Sequence, residues 1–261
     1  MTRDKTIIIG NWKMNFNVQE ASLYLHKLAE AVKVRRDVEV ILAPTTLALQ
    51  SLSMQVNRRQ FKLAVQNFYW RDHGAFTGEV SARQLHGIAD YALIGHSERR
   101  HVFHETDKDI RYKVQAAIRN KIRPVLLIGE TTAERANGET EAVLQDQLVG
   151  GLLNLTSEEV ESVIIGYEPV WAIGTGEHAL PEDVTKAIKS IRNHLKHLYG
   201  RKVADETPVL YGGSVKADSA VDYLSLDEVD GLVIGGASID FHAFTDIVKR
   251  AHRAKNDEGD N

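Results

Sequence analysis

Short apolar runs alternate with longer, partly polar stretches along the whole chain. The runs are rich in Val, Ile and Leu and have the length of buried β-strands. These predicted strands comprise residues 7–9, 38–42, 61–65, 91–94, 123–128, 163–165, 209–211 and 232–234. The stretches between them predict helices at 18–34, 46–54, 81–86, 107–120 and 139–153, a helix that opens at Pro181, and one after each of the last two strands.

This alternation gives about eight strand-then-helix units, with no change of composition and no Pro/Gly-rich linker between them. Strands that alternate with helices pair in parallel, and about eight such units in about 250 residues predict a closed (β/α)8 barrel. An open doubly wound sheet is the alternative. No Gly-x-Gly-x-x-Gly follows the first strand, which removes the commonest dinucleotide-binding form of that sheet. We expect one barrel domain over residues 1–261, with a frayed polar tail from about residue 255.

Composition narrows the functional classes. Of the 261 residues, 43% are hydrophobic and 26% are charged, as in soluble globular proteins. No apolar window reaches the length of about 18 residues needed for a membrane span, and the first residues lack the apolar core of a signal peptide. The chain has no cysteine for a disulfide or a thiolate-bound metal, and its net charge of -4 argues against a nucleic-acid-binding surface. We expect a cytoplasmic protein with no membrane or nucleic-acid partner, which binds anions through local groups.

The stretch 166–176 combines a strand end with an unusual loop. Glu168 follows the sixth apolar run, and Pro169 comes next, where it prevents the strand from continuing. The following residues are mostly apolar and end in Gly-Thr-Gly, a composition that indicates a lid. A strand-ending glutamate in a solvated turn is the alternative, and Trp171 and Ile173 make it the weaker one.

Polar side chains follow the carboxyl ends of several predicted strands. In a parallel barrel these ends converge on one face, so the side chains share one space. They are Asn11 and Lys13 after the first strand, Gln66 and Asn67 after the third, His96 and Glu98 after the fourth, and Glu168 after the sixth. Singly, Lys13 is explained as a solvated charge, His96 as a structural histidine and Glu98 as a helix N-terminal carboxylate. Their joint placement instead predicts a catalytic site.

Two glycine-rich turns complete this face. Gly212-Gly213-Ser214 follows the seventh strand and Gly235-Gly236 follows the eighth. Glycines let backbone N–H groups approach an anion closely, and a helix that starts there adds its positive end. Because barrel enzymes often bind phosphate after strands seven and eight, these turns predict a phosphate site.

Five motifs occur together in the chain, each at the end of a predicted strand. They are Asn-Trp-Lys-Met-Asn at 11–15, Gly-His-Ser-Glu-Arg-Arg at 95–100, Tyr-Glu-Pro-Val-Trp-Ala-Ile-Gly-Thr-Gly at 167–176, Tyr-Gly-Gly-Ser-Val at 211–215 and Gly-Gly-Ala-Ser at 235–238. Through these motifs the chain closely resembles the triosephosphate isomerase family over essentially its full length. The resemblance implies interconversion of dihydroxyacetone phosphate and glyceraldehyde 3-phosphate through an enediolate, in glycolysis and gluconeogenesis, without a cofactor or metal.

The resemblance also implies a role for each residue of the site. Glu168 would be the base that moves the proton, and a neutral His96 would donate to the oxyanion, an arrangement for which this family is itself the type example. Lys13 would supply positive charge, and Asn11 a further polar contact. The phosphate would be bound through the backbone of Gly174, Ser214, Gly235 and Gly236. Glu98 and Arg99 would support the site, and Ile173 and Val233 would form its apolar walls.

The loop 68–79 is long for a connection in a compact domain, and such loops are often functional. The loop begins at Phe68 and ends at Glu79. Its aromatic residues are Phe68, Tyr69, Trp70 and Phe76. This aromatic content is more typical of a protein interface than of a mobile surface insertion. By resemblance it is the loop through which two copies form a homodimer, and Thr77 would reach the neighbouring copy's site near Asn11.

Several positions depart from the family's usual pattern. Leu127 stands where the fifth strand commonly has cysteine, behind the catalytic carboxylate, so packing there is expected to differ. Val233 stands where leucine is usual, which predicts a looser wall beside Glu168. The far hinge of the lid reads Glu177-His178-Ala179 where Lys-Thr-Ala is frequent, which affects the motion of the lid and not the chemistry.

Two other functions stay open at this point. An isomerase of another small phosphorylated ketose, such as a tetrulose phosphate, would use the same base, electrophile and phosphate site. A non-catalytic barrel used for binding or scaffolding would be expected to lack Lys13, His96 or Glu168, and all three are present.

Overall fold

Strand pairing follows sequence order and closes into a barrel. The computed structural model describes residues 5–33, 36–174 and 178–256. Every strand pair is parallel, and β1 pairs with both β2 and β8. The strands are β1 Thr6–Asn11, β2 Val38–Ala43, β3 Phe61–Val65, β4 Tyr91–Ile94, β5 Arg123–Ile128, β6 Ile164–Tyr167, β7 Val209–Tyr211 and β8 Gly231–Ile234. The predicted closed (β/α)8 barrel is confirmed, and the open sheet is excluded.

Helices connect the strands around the outside of the barrel. Within the described residues they are α1 Val18–Ala31, α2 Thr46–Gln55, α3 Ala82–Leu85, α4 Ser97–His101, α5 Asp107–Arg119, α6 Thr132–Ala136, α7 Thr140–Leu152, α8 Ser157–Val160, α9 Pro181–Tyr199, α10 Arg201–Glu206, α11 Ala220–Leu224 and α12 Phe241–Asn256. None of these helices has both the length and the apolar character that crossing a membrane requires.

The long helices lie where the hydrophobic pattern predicts them. Helix α1 ends at Ala31, before the predicted end at residue 34, which lies outside the described residues. Helix α12 extends to Asn256, and the rest of the tail that we expect to fray, residues 257–261, also lies outside them. The four helices α4, α6, α8 and α10 were not predicted, because four to six residues are too few to show helical periodicity.

Two of these short helices carry a local signal at their start. The Thr131 hydroxyl accepts a hydrogen bond from the Glu134 N–H, and the Glu134 carboxylate accepts one from the Thr131 N–H. Thr156 and Glu159 make the same reciprocal pair before α8. This capping box satisfies two backbone donors that a helix start otherwise leaves unpaired. Its Thr-x-x-Glu spacing would have predicted where α6 and α8 begin.

The interior of the barrel is filled by side chains from alternate strand positions. They are Ile7, Ile9, Ile41, Ala43, Ala64, Tyr91, Leu93, Val125, Leu127, Ile164, Leu210 and Val233. Leu127 is completely buried among them. A Cβ added to Gly166 on the adjacent strand would lie 2.4 Å from Leu127 Cδ2. The leucine that departs from the family pattern is therefore accommodated by the glycine beside it.

Truncating Leu127 to alanine should lower the free energy of unfolding by about 2–5 kcal/mol, because it leaves a cavity in a closely packed interior. As a matched control, Leu180→Ala should change it by less than about 0.5 kcal/mol, because the Leu180 side chain is 62% exposed. Guanidinium unfolding curves of both variants measure the difference. Equal effects at the two positions would show that the interior repacks around the missing side chain.

Candidate active site

A cavity of about 410 Å³ lies at the carboxyl-terminal end of the barrel strands. It is lined by ten of the residues predicted to be catalytic, phosphate-binding or wall-forming, which are Asn11, Lys13, His96, Glu168, Ile173, Gly174, Ser214, Val233, Gly235 and Gly236. A cleft of about 960 Å³ between α7 and α9 is larger. None of those ten residues lines it, so the smaller cavity is the candidate active site.

Glu168 lies at the end of β6 with its carboxylate buried. Its Oε1 is 3.5 Å from His96 Nε2, and its Oε2 accepts a 3.4 Å hydrogen bond from the Ser97 N–H. A Cβ added to Gly212 would lie 2.9 Å from Glu168 Cγ, so glycine at that position leaves room for the glutamate. Burial raises the pKa of Glu168 above its ordinary value, against the opposing effects of His96, Ser97 and Lys13. A raised pKa strengthens the carboxylate as a proton acceptor.

His96 is held by the start of helix α4. Its Nδ1 accepts a 3.2 Å hydrogen bond from the Glu98 N–H, so Nδ1 carries no proton in this arrangement. The proton of a neutral imidazole then lies on Nε2, the nitrogen that faces Glu168. The structure therefore places the Nε2 side of the ring, the side available for donation, toward the cavity and Glu168.

Lys13 adopts an uncommon backbone conformation, with φ of 51°. Its N–H donates to Asn11 Oδ1 at 3.1 Å, and its carbonyl accepts from Gln66 Nε2 at 2.9 Å. Left-handed backbone is unfavourable for a lysine and persists where surrounding contacts enforce it. These contacts direct the ammonium into the cavity, 2.6 Å from Glu98 Oε1. Burial opposes ionisation of Glu98, but the hydrogen bond from Lys13 and the proximity of His96 prevail and lower its pKa.

The two glycine-rich turns line the cavity together, beside Lys13. A Cβ added to Gly213 would lie 2.0 Å from Tyr211 Oη, and one added to Gly235 would lie 3.4 Å from Lys13 Cε. The long helices that were predicted to start directly at these two turns do not start there. A three-residue 3-10 helix, Gly236–Ser238, follows Gly235, and α11 begins only at Ala220. An anion at this place would therefore meet loop N–H groups and side-chain cations more than the end of a long helix.

The first part of the predicted lid is anchored beneath the cavity rim. Trp171, in a short 3-10 helix Val170–Ala172, donates from Nε1 to Glu130 Oε1 at 2.8 Å. The Arg135 guanidinium lies 4.0 Å above the centre of the Trp171 ring. Tyr167 also donates to Glu130 Oε1, at 3.1 Å. Farther along the lid, Thr175, Gly176 and Glu177 lie outside the described residues.

The described part of the far hinge of the lid begins at His178. The Ala179 carbonyl accepts a 2.9 Å hydrogen bond from the Tyr223 hydroxyl. Ala179 is buried, whereas His178 is exposed. The hinge is thus fixed to α11 at its last residue. Of the departures from the family pattern in this hinge, only His178 can be placed.

The predicted supporting residues lie at different distances from the cavity. Glu98 contacts it through Lys13. Arg99 points elsewhere, because its Nε pairs with Glu105 at 2.6 Å and its guanidinium stacks on Phe103 at 4.4 Å. Glu105 also pairs with Lys113, whose pKa burial lowers. Gln66 and Asn67, which follow β3, do not line the cavity either. Arg99 therefore does not contact the cavity directly.

The aromatic residues of loop 68–79 do not form one exposed surface. Phe68 is only 2% exposed and belongs to the core, so its prediction as an interface residue is wrong. Tyr69 stacks on Trp70 with ring centres 4.1 Å apart and contacts Phe76 at 4.5 Å. Thr77 is exposed and does not line the cavity of its own chain.

The motif patterns missed several residues that the fold brings to the site. Glu130 and Arg135 anchor the lid, and Lys216 lines the cavity two positions after Ser214. Glu130 lies two residues beyond the end of β5, a placement similar to that of Glu168 after β6, but it was given no role in the predicted site. Lys216 follows the turn Gly212-Gly213-Ser214. The phosphate site was predicted there from the glycines, and the lysine was not considered. No group of three or more metal-ligating side chains lies close enough together to hold an ion in the described parts of the chain.

Comparison with known proteins agrees with this geometry. The family model described as triosephosphate isomerase matches residues 6–251. A triosephosphate isomerase of Clostridium tetani is 41% identical over 245 residues, which cover 94% of this chain and 96% of that protein. Proteins of the same name from Chloroherpeton thalassium and Clostridium perfringens are 41% and 40% identical, over 95% and 93% of this chain and 99% and 98% of their own. The chain belongs to the triosephosphate isomerase family.

Proposed function

We propose that this chain interconverts dihydroxyacetone phosphate and glyceraldehyde 3-phosphate, as part of glycolysis and gluconeogenesis in the cytoplasm. The observation that carries the proposal is the pairing of a buried carboxylate, Glu168, with His96 Nε2 at 3.5 Å in a cavity that also holds Lys13. A base and an uncharged hydrogen-bond donor on one side of a small cavity suit proton abstraction next to a carbonyl.

The proposed reaction moves one proton between adjacent carbons. Glu168 takes the proton from the carbon beside the carbonyl, and the electron pair moves onto the carbonyl oxygen. His96 Nε2 donates a hydrogen bond to that oxygen, while Lys13 and Asn11 stabilise the negative charge that develops. The proton on Glu168 then returns to the neighbouring carbon, which gives the isomer. No cofactor or metal enters this scheme.

The phosphate group and the lid have separate tasks in this proposal. Backbone groups of Gly174, Ser214, Gly235 and Gly236 hold the phosphate, and Ile173 and Val233 exclude water from the reacting carbons. Exclusion of water protects an enediolate from losing its phosphate. The anchoring of Trp171 by Glu130 gives the lid a fixed end about which it closes.

A comparison of substrates tests the proposal. The purified chain should turn over glyceraldehyde 3-phosphate with a larger kcat/KM than a tetrulose 4-phosphate, because the additional CHOH group would have to fit between the phosphate-binding turns and Glu168, which line the same cavity. A preference for the tetrulose would assign the chain to the other isomerase activity. Absence of turnover with either compound would favour a binding or scaffolding barrel.

We also propose that the chain forms a homodimer through loop 68–79. Several apolar side chains in this loop and in the segments that follow β1 and β4 are exposed, with Met14 at 94%, Val102 at 63%, Phe103 at 61% and Phe76 at 39%. Methionine and aromatic residues are enriched at interfaces between subunits. In such a dimer Thr77 would approach Asn11 of the second copy.

Replacing Thr77 by arginine should convert the dimer to a monomer at micromolar concentration, because it places a long charged side chain in the proposed interface. Sedimentation velocity measures the change. The matched control is Leu198→Arg, at an exposed position on α9, which should keep the sedimentation coefficient of the unmodified protein. Loss of the dimer in the control alone would place the interface on the other side of the barrel.

A further inference from the structure

Lys216 is the second lysine that lines the catalytic cavity, and the proposed reaction gives it no part. It lies in the turn between β7 and α11, two positions after Ser214. We infer that Lys216 is a further phosphate-binding residue, whose ammonium group attracts and orients the dianionic end of the substrate. The identity of the substrate rests on the proposed function, whereas the affinity of the site for a phosphate dianion does not.

The charges around the cavity create a need for this second cation. The ammonium of Lys13 lies 2.6 Å from the Glu98 carboxylate, which compensates its charge. Glu168 must be ionised to act as the base, so these three groups together carry a net negative charge. A phosphorylated substrate brings further negative charge to the same small space. Lys216 offsets this repulsion, because like charges in a cavity with low-dielectric walls interact strongly.

The placement of Lys216 complements that of Lys13. Lys13 lies beside Gly235, since a Cβ added to Gly235 would be 3.4 Å from Lys13 Cε. Lys216 belongs to the opposite turn, the one that carries Ser214. Both lysines line the cavity beside these turns, so an anion held there would lie near two cations.

The backbone of Lys216 is fixed while its ammonium stays available. Its N–H donates to Ser219 Oγ at 3.1 Å, and the Ser219 hydroxyl donates back to the Lys216 carbonyl at 3.3 Å. Lys216 is exposed, and no carboxylate in the described parts of the chain forms an ion pair with it. The short hydroxyl-bridged turn holds the start of the side chain at the cavity edge, so only the flexible stem has to be ordered when a dianion binds.

Three variants separate a phosphate-binding role from other roles. Lys216→Met removes the charge and keeps much of the stem, and Lys216→Arg keeps the charge. Lys249→Met changes the net charge equally at an exposed position on α12, outside the cavity. For each variant we would measure KM and kcat with glyceraldehyde 3-phosphate, and the Kd for inorganic phosphate by calorimetry, at low and high salt.

We expect Lys216→Met to raise both KM and the Kd for inorganic phosphate by about three- to tenfold at low salt, and by less at high salt, because salt screens an exposed charge. Lys216→Arg and Lys249→Met should stay within about twofold of the unmodified protein. Unchanged phosphate affinity in Lys216→Met, an equal loss in Lys249→Met, or a fall in kcat alone would each overturn the inference. If the unmodified protein fails to isomerise the triose, the proposed function fails, and the calorimetry still decides the role of Lys216.

Discussion

Replacing Glu168 by glutamine should lower kcat/KM for glyceraldehyde 3-phosphate by about 10²- to 10⁴-fold, the usual contribution of a positioned general base. Glutamine keeps the size of the side chain and can still accept a hydrogen bond from the Ser97 N–H, which Glu168 Oε2 accepts at 3.4 Å. The substitution therefore removes the base without opening a cavity. Glu182→Gln, at an exposed position on α9, is the matched control and should keep full activity. Steady-state kinetics with a coupled assay measures both.

The same variant should be more stable than the unmodified protein at neutral pH. Burial raises the pKa of Glu168, so between the ordinary and the raised pKa the folded protein binds more protons than the unfolded chain. Its stability therefore falls as pH rises through that window, and the ionised carboxylate costs free energy above it. Glutamine does not titrate, so thermal unfolding curves of the two proteins should converge at acid pH and separate at neutral pH. A variant less stable than the unmodified protein at neutral pH would contradict this account of the site.

Replacing Lys13 by methionine should lower kcat/KM by about 10²- to 10³-fold, the size of effect seen when one fixed donor to a developing oxyanion is removed. The loss has two parts. The cation near the developing charge disappears, and the Glu98 carboxylate, which Lys13 contacts at 2.6 Å, is left to repel the anionic substrate. A decrease of less than about tenfold would show that Lys13 acts only as a surface charge.

The double variant Lys13→Met/Glu98→Gln separates these two parts. If repulsion by the unpaired carboxylate contributes, the double variant should recover part of the activity that Lys13→Met loses. Glu98→Gln alone should lose much less than Lys13→Met, because Glu98 does not line the cavity. Additive losses in the double variant would mean that Glu98 and Lys13 are not coupled in catalysis. The ratio of kcat/KM values across the four proteins gives the coupling directly.

The hydrophobic pattern predicted the barrel because its signals are local. Each strand is an apolar run, and parallel pairing follows from the alternation with helices. The strand ends then indicated which polar residues meet, which is why Lys13, His96 and Glu168 were found although they are distant in the chain. Gln66 and Asn67 also follow a strand, yet they bond to Lys13 and Lys113 outside the cavity. A strand end thus predicts the face of the barrel but not the direction of each side chain.

The contacts that sequence reasoning missed are between elements with no shared local pattern. Leu127 is accommodated by Gly166 on the next strand, and Gly212 leaves space for Glu168, although the sequence suggested only a phosphate role for that glycine. Phe68 was predicted as an interface residue because the loop contains four aromatic residues, but it packs into the core. Such pairings depend on distances across the barrel, which spacing along the chain does not contain.

The central claim is that Glu168 carries a proton between two carbons through an enediolate. The most direct test is the isomerisation of glyceraldehyde 3-phosphate in D₂O, followed by proton NMR of the dihydroxyacetone phosphate produced. A proton held on a carboxylate exchanges with solvent, so we expect deuterium in the hydroxymethyl group of part of the product. The contradicting result has two parts. The product would retain the substrate's own hydrogen completely at that carbon, and the Glu168→Gln variant would react at an unchanged rate. Together they would indicate a direct hydride shift.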